Sequence, residues 1–184
     1  MQTFDDITFN GNLYTTRSSL ALLLYEQNGV AMAIPLPNAN LMSFIRVFGN
    51  ARQCRDHIET NRNRRKMITL FAYDKNMQEW LGNNDADIPP NLQEIKIFCG
   101  ADDQPFVARW ARRHIRRFQN ATFEIISCDR LNHELLLFGV NFLRKLHSDF
   151  RPRSRLQRRS YHNYKKICHA LANYFWHEAN NENV

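Results

Sequence analysis

Two apolar rhythms alternate through the second half of the chain, and that alternation restricts the fold more than any other feature. "LQEIKIFC" (92–99) and "ATFEIISC" (121–128) are short runs dense in apolar and β-branched residues, each the length of a buried strand. Between them, "DDQPFVARWARRHIRRFQ" (102–119) repeats Val107, Trp110, Ala111, Ile115 and Phe118 at helical spacing. The pattern predicts one helix, with Asp at its cap and Pro105 in its first turn. "LNHELLLFGVNFLRKLHSDF" (131–150) predicts a second helix, apolar enough to be largely buried. Strands taking turns with helices imply an α/β layered fold.

The first half has the same character with a different opening. "LALLLYEQNGVAMAIPL" (20–36) flanks Asn28-Gly29 with apolar runs, which predicts a β-hairpin with strands at about 20–26 and 30–35. A short earlier strand is expected within 7–15. From 40 to 60 the recurrence of Leu41, Phe44, Ile45, Phe48, Cys54 and Ile58 predicts a helix, with Gly49 as a break. "MITLFAY" (67–73) reads as a buried strand, followed by a helical turn near 77–81 and the loop "GNNDADIPPN" (82–91). At the far end Ile167, Ala170, Leu171, Tyr174 and Phe175 mark a final helix. The expectation is a single layered α/β domain over 1–184, with a mixed sheet, an N-terminal β-hairpin and C-terminal helices.

Apolar residues make up 43% of the 184 and aromatic residues 12%, which excludes a disordered chain. No apolar run approaches the roughly 20 residues that cross a bilayer. "MQTFDDITFN" has neither the basic nor the apolar part of a secretory signal. Cys54, Cys99, Cys128 and Cys168 are widely spaced, the pattern of reduced thiols in an intracellular protein.

Charge is distributed unevenly. Residues 1–100 balance ten Lys/Arg against ten Asp/Glu, whereas 101–184 carry fifteen against eight, so the net charge of +7 arises in the basic half. Arginine outnumbers lysine nineteen to six, and guanidinium forks suit phosphate and carboxylate geometry. One cluster is Arg109, Arg112, Arg113, Arg116 and Arg117, on the polar side of the 102–119 helix. Another is "RPRSRLQRRSYHNYKK" (151–166), with Arg151, Arg153, Arg155, Arg158, Arg159, Lys165 and Lys166 and no acid. Arg62, Arg64, Arg65 and Lys66 form a third. Pro152 ends the preceding helix, and 156–166 can join the last one, so that these charges ride on a docked element. Tyr161, Tyr164 and Trp176 interleave with them as stacking or core residues. A run of this kind is also the pattern of a solvated surface or a nuclear address.

Two partial resemblances accompany this pattern. "NYKKICHALANYFW" (163–176) resembles the arginine–histidine helix motif of a family of small single-strand nucleic-acid-binding domains, with Lys165 where the family has arginine, His169 four residues on, then Ala172 and Phe175. The order hairpin, helix, strand resembles the opening of ribonuclease-H-like domains. That resemblance implies a metal-binding carboxylate at Asp74, while Asp6, Asp56 and Glu59 do not fall at the other places it requires.

No hydrolase elbow, dinucleotide-binding or P-loop motif is present, and neither the cysteines nor the histidines have zinc-site spacing. His114 reads as a packing residue. The expectation is a non-enzymatic protein without metal or cofactor, intracellular and of the nucleus, that contacts DNA or RNA phosphates through its Arg-rich surface, as in low-specificity coating or capping of a chromosome. The alternatives are a scaffold docking an acidic protein partner and a metal-dependent nuclease using Asp74.

Overall fold

The computed structural model describes residues 19–25, 45–60, 67–82, 88–118 and 121–181. Strands β1 (Ser19–Leu24), β2 (Ile45–Phe48), β3 (Met67–Tyr73), β4 (Leu92–Cys99) and β5 (Thr122–Ser127) form one sheet in the order β2-β1-β3-β4-β5. Helices α1 (Ala51–Thr60), α2 (Asp74–Gly82) and α3 (Gln104–Arg113) follow β2, β3 and β4, and α4 (Leu131–Asp149) and α5 (Arg155–Asn181) close the chain. The fold is α/β with C-terminal helices. Two compact units are distinguishable, one holding the sheet up to Leu131 and the other beginning at Asn132.

Every described strand pairing is parallel, where the sequence suggests a mixed sheet. Both sides of β1 are taken by parallel neighbours, Leu22 standing opposite Arg46 of β2 and Leu70 of β3. The expected second hairpin arm (30–35) and the early strand (7–15) lie outside the described residues, as does the 62–66 basic cluster. Parallel central strands read as nearly continuous apolar runs, which is why 67–73 was legible, while 92–99 was legible from Leu92, Ile95, Ile97 and Phe98 between its polar residues. The charges within β4 are paired: Lys96 Nζ lies 2.9 Å from Glu124 Oε2, and Thr69 Oγ1 donates to Glu94 Oε2 at 3.0 Å.

The 40–60 segment is a strand followed by a helix rather than one helix. Ile45 and Phe48, three residues apart, satisfy a helical period as well as the ends of a four-residue strand. Asn50 decides where the helix starts. Its Oδ1 accepts from the backbone N–H of Arg52 (2.8 Å) and of Gln53 (3.2 Å), and its carbonyl accepts from Cys54, so α1 begins only after Gly49-Asn50.

Alternate residues of the strands supply one packed face, including Leu22, Leu24, Leu70, Ala72, Ile95 and Ile97. Cys54 and Ile58 of α1, Met77 and Trp80 of α2, and Val107 of α3 pack against it. Each fully buried aliphatic side chain of this kind contributes roughly 1.5–3 kcal/mol. At the carboxyl ends of the strands Tyr25, Tyr73 and Phe98 form a ring cluster, with Tyr25 and Tyr73 edge-on at 5.7 Å.

In the second unit α4 buries Leu135, Leu136, Leu143 and Leu146, as its apolar sequence implies. Pro152 stands between the two helices, and α5 begins at a built cap. Ser154 Oγ accepts from the Gln157 backbone N–H at 3.1 Å, while Gln157 Oε1 accepts from the Arg153 N–H at 2.7 Å. Arg153 reaches this geometry at φ 60, the left-handed region. No helix among the described residues is long and apolar enough to cross a membrane.

Candidate nucleic-acid interface

α5 carries its charge on one side. It is 27 residues long, or about 40 Å. At 3.6 residues per turn, Arg155, Arg158, Arg159, His162, Lys165, Lys166, His169, Asn173 and Trp176 fall within an arc of about 120°. All are exposed except the half-buried Lys166. Ser160, Asn163, Ile167 and Ala170, from the other side of the helix, are buried. Arg151 and Arg153 lead into the same end and are exposed. No acid occurs between Asp149 and Glu178. Among the described residues, none of the seven Lys/Arg cations from Arg151 to Lys166 makes an ion pair with a carboxylate. Lys165 Nζ instead lies 4.8 Å from the Tyr161 ring centroid.

The sequence resemblance on this helix places Lys165 and His169 on the exposed arc, whereas its trailing Phe175 turns to α4, its ring 5.1 Å from that of His133. Tyr161 is 44% exposed, Tyr164 half-buried, and Trp176 is 61% exposed. His162 was not singled out in the sequence, although its spacing from Arg158 and Arg159 was sufficient to place it on this arc.

The second basic surface is shorter than its sequence implies. α3 ends at Arg113, and residues 115–118 form a separate 3-10 turn. The His114 N–H bonds to Ala111 O and the Arg117 N–H to His114 O, three residues back in each case, so the turn tightens. Ile115 leaves the buried stripe as a result and is 55% exposed. Asp103 precedes the helix without a side-chain capping bond, and Pro105 stands in the first turn as expected. His114 is a packing residue: its ring lies 5.1 Å from that of Trp110, with Nδ1 2.9 Å from the Trp110 carbonyl.

Arg109, Arg112, Arg113 and Arg116 are exposed. Arg117 is only half-exposed, and its guanidinium donates to the backbone carbonyl of Leu81 at the end of α2. Arg55 serves the same helix end, donating to the Trp80 carbonyl at 3.3 Å with its guanidinium 5.1 Å from the indole centroid. Positive charge at a helix C-terminus is stabilising, and these bonds satisfy carbonyls the helix leaves open. Arg117 therefore has a structural task in addition to its charge.

Asp74 stands where β3 passes into α2, beside the point at which the strand order reverses, between β1 and β3. In open parallel sheets that place is the usual ligand crevice. At this end of β1 and β3 the rings of Tyr25 and Tyr73 meet edge-on. Asp74 is buried and accepts a hydrogen bond from Gln78 Nε2 at 3.2 Å. Burial raises its pKa, and the Asp103 charge adds to the rise against backbone hydrogen bonding at Lys75. Among the described residues no group of three or more His, Cys, Asp or Glu is placed to hold a metal ion.

Cys99 ends β4, and Cys128 follows Ser127, the residue opposite Cys99 on β5. Both are buried free thiols, as is Cys54. Burial pushes Cys54 and Cys99 up to about 12 and Cys128 to about 11, which leaves them protonated and unreactive at neutral pH.

Comparison with known protein families, with curated proteins and with solved structures finds no match for this chain.

Proposed function

We propose that this chain is a non-enzymatic nucleic-acid-binding protein that grips DNA or RNA mainly by its phosphates, with little base preference. A nuclear, chromosome-associated factor that coats or caps DNA is the concrete form of this reading. The observation that carries it is the run of cations from Arg151 to Lys166, which begins just before α5 and continues through its first three turns without a carboxylate partner among the described residues. The first turn of that helix contains no acid. A helix N-terminus is already electropositive, so Arg155 opposes the macrodipole, and Arg155, Arg158 and Arg159 repel one another. A polyanion laid across this end relieves both repulsions. In the other unit, the exposed arginines of α3 are a separate basic surface suited to phosphates.

Fluorescence anisotropy with mixed-sequence DNA and RNA at low and high salt tests the reading. Binding is expected at low salt, with log K falling linearly in log salt. Glu at Arg112, Arg113 and Arg116 together is expected to weaken association and to flatten the duplex slope by up to about 3, with an unchanged melting profile. Absence of binding to either polymer at low salt would overturn the reading in favour of an acidic protein partner.

A further inference from the structure

Three tryptophans are present, and they occupy different surroundings. Trp80 is fully buried, and Trp110 packs partly buried against the sheet core. Trp176 is 61% exposed, and its ring contact among the described residues is an edge-to-face approach by His177 at 5.3 Å. A tryptophan left in water forgoes the burial of roughly 150–250 Å². Exposed apolar groups of that size mark interaction sites when they sit beside other binding features.

The position of Trp176 is informative. It lies on the same arc of α5 as the cations, between the columns of Lys165 and His169, about 16 Å further along the axis than Lys165. A polyanion following the charged arc towards the helix C-terminus meets the indole. A duplex encloses its base faces within its own stack, whereas a single strand presents them. A second copy of this chain is a poor occupant, because the positive arcs of two copies repel.

We infer that the occupant of this face is single-stranded nucleic acid, held at its phosphates by the cations of α5 and stacked by one base on Trp176. The inference rests on the nucleic-acid reading above and adds the strand state and the stacking residue. Base–aromatic stacking is tolerant of sequence, which fits a grip made mainly on phosphates.

Intrinsic tryptophan fluorescence of the full chain tests it, with a thymidine oligonucleotide and a blunt mixed-sequence duplex as probes at low salt. The oligonucleotide is expected to quench the exposed indole and to bind more tightly than the duplex. Trp176→Leu is expected to lower single-strand affinity by about five- to a hundredfold and to leave duplex affinity and its salt slope unchanged, while Trp176→Phe retains most of the single-strand affinity. Unaltered single-strand binding by Trp176→Leu, with salt dependence intact, overturns the stacking and leaves phosphate gripping in place. Loss of binding to both probes in the unsubstituted chain overturns both.

Discussion

The guanidinium of Arg117 donates to the main-chain carbonyl of Leu81, 36 residues earlier in the sequence. The bond ties the 3-10 turn after α3 to the carboxyl end of α2, a place Arg55 also reaches through the Trp80 carbonyl. Within one arginine-rich stretch, then, Arg109, Arg112, Arg113 and Arg116 face solvent while Arg117 is a clasp.

Arg117→Met is therefore expected to act on stability. A hydrogen bond from a charged donor contributes about 1.5–3 kcal/mol, so the variant should unfold at lower urea with an unchanged m-value. Its affinity for nucleic acid at low temperature should fall no more than that of a single exposed arginine variant such as Arg109→Met. Equal urea midpoints for Arg117→Met and the native chain would remove the clasp.

Asp74 titrates in a direction that opposes folding. Its folded pKa is raised, chiefly by burial, so the folded chain holds this proton more tightly than the unfolded chain does. The unfavourable contribution is absent below the ordinary carboxylate pKa, grows as pH rises through the window up to the raised value, and is fully present above it. Asp74→Asn keeps an oxygen acceptor for Gln78 and removes the buried charge. It is expected to be more stable than the native chain at neutral pH, with the two stability curves converging in acid. Urea unfolding at a series of pH values checks this. A native chain that is the more stable at neutral pH would instead assign Asp74 a partner that favours its charge. The same variant tests the nuclease alternative, which requires divalent-metal-dependent cleavage by the native chain and its loss on substitution.

Thiol chemistry should distinguish one cysteine of the four. Cys54, Cys99 and Cys128 are buried with pKa values pushed up to about 11 or 12, while Cys168 on α5 is partly accessible. Alkylation of the folded protein at neutral pH, followed by peptide mapping, is expected to label Cys168 first and the other three only after denaturation. Early labelling of Cys99 or Cys128 would contradict the packing described at the strand ends.

What the sequence disclosed follows from which interactions are local. β3 was legible as a long apolar run, and β4 from the apolar residues Ile95, Ile97, Phe98 and Cys99 that close it. β2 was not, because Ile45 and Phe48 fit two periods at once and the deciding groups are the Asn50 side chain and two backbone N–H groups. Ile115 was assigned to the buried stripe on a period of 3.6, and a change to three-residue turns carried it into solvent. The α5 cations were visible as a charge run. That Arg117 answers to Leu81 was invisible, since a main-chain carbonyl has no sequence signature. Trp176 has spacing that suits either a core or a surface, and only the packing of α5 places it outside.

The wholly parallel pairing also bears on how the chain reaches this state. Since β1 lies between β2 and β3 and runs parallel to both, none of these pairings can nucleate as a tight turn with its two arms zipping together. Each must wait for a long loop to close, a slow step with much greasy strand surface exposed meanwhile. The α4–α5 pair has only a short connection to close, so it is expected to condense first, and chaperone dependence, if found, should trace to the sheet.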